Sequence, residues 1–79
     1  MRLDKYLKIS RLLKRRTVAA DACTAGKVLL NGKEAKPAAN VKAGDTITIT
    51  FGARRLSVEV LSVPEQARKE DAQLLYREL

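Results

Sequence analysis

Histidine and tryptophan are absent from this 79-residue chain, cysteine occurs once, and only Tyr6, Phe51 and Tyr76 carry aromatic rings. Each scarcity excludes something. Without histidine the commonest general acid–base group and metal ligand is missing, and Cys23 alone can neither close an internal disulfide nor complete a zinc site. A reducing cytosol fits such a chain. Few aromatics argue against a stacking platform for single strands. No apolar run approaches the ~20 residues of a membrane span. Asp4, Lys5 and Lys8 also interrupt the start, where a secretory signal needs an unbroken apolar region. The chain therefore reads as soluble, unprocessed and cytoplasmic, with no membrane partner.

The four glycines, Gly26, Gly32, Gly44 and Gly52, stand far apart as turn residues, so no glycine-rich loop cradles a phosphate. Cys23 lies in an apolar helical stretch without a basic partner in register and reads as packing. Glu70 and Asp71 fall on a solvated terminal segment. No nucleophile, acid–base pair or metal site emerges, so neither catalysis nor a cofactor is expected.

Positive charge is abundant and uneven. The chain holds 16 Lys and Arg against 9 Asp and Glu, a net charge of +7. In the opening MRLDKYLKISRLLKRR, the cations Arg2, Lys5, Lys8, Arg11, Lys14, Arg15 and Arg16 face a single acid, Asp4, so nearly all of the excess sits at one end. So steep a local field is the electrostatic footprint of a nucleic-acid site. Arginine is also suited to forked phosphate contacts. With few exposed rings, recognition of folded RNA by shape and phosphate is favoured over base stacking.

Leu3, Tyr6 and Leu7 recur at i, i+3 and i+4, which predicts a short helix over 2–9 with Arg2 and Lys5 off its apolar stripe. Arg11 and Arg15 would share another side if that helix continued. Asp4 either pairs with Lys8 one turn on, or it orients a neighbouring arginine or accepts from a base or 2′-hydroxyl of RNA. Tyr6 reads as core. A second helix is expected after Thr17 as N-cap, carrying Val18, Ala19, Ala22 and Cys23 and ending at Gly26.

Asn31-Gly32 predicts a hairpin over about 27–36, because both central residues of a type I′ turn need positive φ. Gly44-Asp45 predicts a turn. Thr46 to Phe51 alternates with Ile47, Ile49 and Phe51 on one face, and RRLSVEVLSV alternates with Leu56, Val58 and Val60 on one side, so the two should pair antiparallel across Gly52-Ala53. EQARKEDAQLLYREL has helical composition and predicts a terminal helix over 64–79, with Ala67, Leu74 and Leu75 for packing. The expected class is α+β. It is one domain over 1–79 with two short N-terminal helices on a small, mostly antiparallel sheet, plus the C-terminal helix.

The order RLDKYL, SRLLKRRT, AGKVLLNG, VKAGDTITI resembles the S-four RNA-binding domain, named after ribosomal small-subunit protein four, over about residues 2–51. That resemblance implies a helical pair and its basic loop set against RNA. The family domain also opens pseudouridine synthases and tyrosyl-tRNA synthetases, which need a catalytic domain that has no counterpart here. Among stand-alone members, the MRLDKYLK start, the KRRT junction and Phe51-Gly52 are most similar to the RqcP branch, which works in bacterial ribosome quality control. This likeness implies a monomer when free, with rRNA of the large ribosomal subunit, peptidyl-tRNA and the alanine-tailing factor RqcH as partners. By matching position, it places RNA contacts at Arg2, Asp4, Lys5, Arg11, Lys14, Arg15 and Arg16. Two other readings stay open: a heat-shock-type ribosome-associated protein that acts on free large subunits with stranded nascent chains, and a small basic DNA-binding or nucleoid protein.

Overall fold

The computed structural model describes residues 1–79. Helix α1 (Leu3–Ile9) and helix α2 (Arg16–Thr24) precede strands β1 (Val28–Leu30), β2 (Lys33–Glu34), β3 (Thr46–Phe51) and β4 (Arg54–Val60). A 3₁₀ helix (Lys69–Leu74) and strand β5 (Tyr76–Glu78) complete the chain. The strands form one antiparallel sheet in the order β2-β1-β3-β4-β5. The apolar stripe of α1 (Leu3, Tyr6, Leu7) and the inner face of α2 (Ala19, Cys23) share one aliphatic core with Val28, Ile47, Ile49, Val58 and Val60.

Asn31 and Gly32 have φ of 53° and 84° and turn β1 into β2, as a type I′ hairpin requires. The Asn31 side chain then locks this hairpin to the next strand: its Nδ2 donates to Asp45 Oδ1 (3.1 Å) and its Oδ1 accepts from Thr46 N–H (2.9 Å). A Cβ added at Gly32 would meet nothing within 4 Å, so a substitution there is penalised through the backbone alone. Gly32→Val is expected to cost about 1–2 kcal/mol, measured as a lowered denaturation midpoint.

Two expectations are corrected. The segment 64–79 is not one continuous helix; only Lys69–Leu74 is helical, as 3₁₀, and the chain then forms β5, whose Tyr76, Arg77 and Glu78 pair with Val60, Glu59 and Val58. Helical propensity there yields to the open edge of β4 and to burial of Ala72 and Leu75, while Leu74 stays exposed. The Tyr6 hydroxyl donates to the Leu75 carbonyl at 2.7 Å, which fastens this segment to α1, and burial, with a smaller effect of Tyr76, pushes the Tyr6 hydroxyl pKa up to about 12.

Helix α2 begins at Arg16, with Arg15 in extended conformation as its cap and Thr17 already inside the first turn, because Ala19 N–H bonds back to the Arg15 carbonyl. Phe51 keeps the alternation of β3 but is 42% exposed, whereas Ile47 and Ile49 are buried.

Candidate nucleic-acid interface

A carboxylate organises the basic end. Asp4 is 4% exposed in the first turn of α1. Arg2 lies just before the helix and forks onto it, Nε to Oδ1 at 3.2 Å and Nη2 to Oδ2 at 3.1 Å. The Lys5 backbone N–H donates to Oδ1 at 2.7 Å, and Arg16 at the start of α2 brings its Nε to 3.5 Å from the same oxygen. Lys8 is not the partner of Asp4. The carboxylate instead gathers two guanidiniums that lie fourteen positions apart in the chain yet remain about half-exposed, 53% for Arg2 and 49% for Arg16. Such a pair meets solvent already oriented, so an incoming phosphate finds two cations whose side-chain freedom has been reduced in advance.

Burial pushes the Asp4 carboxyl pKa up, but the Arg2 fork, the Lys5 N–H and the charges of Arg16 and Arg2 outweigh it and hold the pKa below the ordinary carboxylate value. Asp4 therefore contributes stability that is present above the unfolded pKa and is lost as pH falls through the lower folded pKa. Asp4→Asn should lower the melting temperature at neutral pH, and its gap from the wild type should close in acid below about pH 4, checked by melting curves across that range.

Helix α1 ends at Ile9, so Arg11 and Arg15 do not share a helical side. Arg11 adopts φ of 64° in the connecting turn, where its N–H donates to Lys8 O and Leu13 N–H donates to Leu7 O. The basic side chains of the loop and those of α1 line different clefts. Lys5, Lys8 and Arg16 line one cleft, with Glu65 on its far side pairing Lys5 Nζ at 3.0 Å and held below the ordinary carboxylate pKa by that lysine. Arg11 and Lys14 line a second cleft of about 550 Å³. Arg15 is exposed and lines neither.

Sequence reasoning missed the other wall of the second cleft, which consists of Lys69, Gln73 and Tyr76 from the C-terminal segment. No local pattern marks them, because only the return of the chain along β4 brings them to Arg11. Arginine pays a steric cost in the left-handed conformation that glycine avoids. Arg11→Gly is thus expected to raise stability by up to about 1 kcal/mol, seen as a melting temperature a few degrees higher. If the side chain serves the cleft, RNA affinity should fall several-fold in the same variant.

Cys23 is buried and burial raises its thiol pKa, consistent with packing. No helix is long and apolar enough to cross a membrane.

The S4 domain family model matches residues 1–47. The chain is 50% identical to the RQC P-site tRNA stabilizing factor of Halalkalibacterium halodurans over 76 residues, which cover 96% of this chain and 86% of that protein. It is 43% identical to a heat shock protein 15 homolog of Aeromonas salmonicida over 79 residues, 99% of this chain but 60% of the relative. The trimeric structure of Vibrio cholerae heat shock protein 15 superposes with a TM-score of 0.93 at 38% identity, covering 100% of this chain and 81% of that one.

Proposed function

The chain belongs to the S4 domain family, and on that premise we propose that it is a ribosome-associated quality-control factor of the RqcP type, acting on the split large subunit that still carries peptidyl-tRNA. The relatives named for stabilizing P-site tRNA, similar over nearly the whole chain, support this reading. One structural observation carries it to residues: the buried Asp4 holding Arg2 and Arg16 half-exposed. Arg2 and Arg16 contact RNA phosphates, Asp4 orients them, and Lys5, Arg11, Lys14 and Arg15 extend the contact through the two clefts and the turn. The RNA-binding core spans 2–51, and the C-terminal segment braces it.

In this role the chain supplies no chemistry. It holds tRNA and large-subunit rRNA in register, so that RqcH adds alanine to the stalled chain, and positioning of this type changes rates without a catalytic group. Isolation of the tagged protein from cells should bring down large subunits with peptidyl-tRNA. Recovery of small subunits alone would overturn the proposal. Deleting the gene should remove alanine tails from stalled chains, and Cys23→Ser should restore them.

The similarity to heat shock protein 15 supports a second reading, in which the chain acts on free large subunits independently of tailing. Under it, large subunits still co-purify, but alanine tails persist at normal length when the gene is deleted. Binding to duplex DNA as tightly as to large subunits would favour a nucleoid role instead.

A further inference from the structure

Helix α2 separates two charged regions. Arg16 at its start belongs to the Asp4 site, whereas Lys27 follows its end and accepts the Thr50 N–H on its carbonyl at 2.9 Å, beside the last residues of β3. Nine helical residues put about 14 Å between these ends. At the far end the tip of the β3–β4 hairpin places Phe51 directly opposite Arg54 and Thr50 opposite Arg55. Phe51 is 42% exposed, Lys27, Arg54 and Arg55 are exposed, and none of the three cations forms an ion pair. Phe51, Arg54, Arg55 and Leu56 border a hollow of about 200 Å³ together with Glu78, whose carboxylate is likewise unpaired.

The exposed ring stands beside Arg54 and Arg55, and the one carboxylate at the hollow, Glu78, pairs with neither and offsets at most one of their two charges. An apolar partner would leave the guanidiniums desolvated and unpaired, and an acidic peptide would leave the ring unused. RNA satisfies both, since a base offers a flat face for the ring and its flanking phosphates suit the arginine forks. We propose that the β3–β4 tip is a second RNA-contacting surface, in which an unpaired base stacks on Phe51 and the adjoining phosphates bind Arg54 and Arg55. It uses no residue of the Asp4 site, and together the two surfaces let one small domain bridge two RNA segments.

The absence of tryptophan provides a reporter, because Phe51→Trp puts a single indole at the tip of the full-length chain. Titration with an RNA hairpin carrying an unpaired adenine should quench that emission, and the matching fully paired hairpin should quench it much less. Adding Arg54→Gln and Arg55→Gln should weaken the response about tenfold with the melting temperature unchanged. Emission that ignores the unpaired base would overturn the proposal. So would equal quenching by polyglutamate, which would assign the tip to an acidic protein. Retention of the native phenylalanine is covered by a second measurement: Arg54→Gln/Arg55→Gln in the otherwise natural chain should weaken binding of the same hairpin in a filter assay, and unchanged binding counts against the tip.

Discussion

Exchanging Arg2 and Arg16 together for glutamine is expected to weaken binding to large ribosomal subunits by about 100-fold, measured by co-sedimentation at fixed salt. Both guanidiniums are oriented by one buried carboxylate, so the loss is larger than removal of two mobile surface cations would give. The salt dependence of what binding remains should be shallower, because fewer counterions are released. Stability will fall as well, since Asp4 would keep only the Lys5 N–H as partner while remaining almost fully buried. Adding Asp4→Asn removes the stranded charge. The triple variant should regain much of the lost melting temperature and none of the lost affinity. Recovery of affinity along with stability would mean that Arg2 and Arg16 act on the fold and not on RNA.

Tyr6→Ala should be the most destabilising single change in the chain, about 3–5 kcal/mol, because the ring is fully buried at the centre of the core and leaves a large cavity. A domain of this size has only about 4–12 kcal/mol in total, so a substantial unfolded fraction at 37 °C is the expected result in a denaturation curve. Tyr6→Phe separates the ring from its hydroxyl. The Leu75 carbonyl also accepts from Leu61 and Ser62 N–H groups, so it stays satisfied and the cost should be about 1 kcal/mol. Hydrogen exchange should nonetheless quicken at the amides of Tyr76–Glu78 more than in β3. Uniform quickening would show that the hydroxyl supports the whole core and not the C-terminal segment.

Elements defined by short-range rules were legible in the sequence. The Leu3-Tyr6-Leu7 stripe, the Asn31-Gly32 turn and the alternation of β3 and β4 each rest on a periodicity or a backbone requirement that a few residues satisfy alone. What escaped depends on contacts between distant segments. The last fifteen residues favour a helix by composition, yet the exposed edge of β4 and the Tyr6 hydroxyl offer them partners that no local pattern reveals. Asp4 offered two readings because Lys8 is near in sequence, while Arg16 reaches it only once α1 and α2 pack together. Parity placed Phe51 on the inward face correctly, but alternation says nothing of where the helical cover stops. Arg11 in a left-handed turn is likewise set by packing, since no glycine or asparagine announces it.

The return of the chain along β4 also decides what the sheet presents at its edges. Both edges of the sheet are short and charged, two residues (Lys33–Glu34) on one side and three (Tyr76–Glu78) on the other. Short charged edges make poor templates for strand addition. Removing the last four residues would uncover the Val58–Val60 backbone of β4, next to the already exposed Leu61, and leave a longer row of unpaired amides and carbonyls. The strand that replaces the expected helix thus covers the β4 edge at Val58–Val60 and leaves a short charged strand outermost, which is a poor template for strand addition.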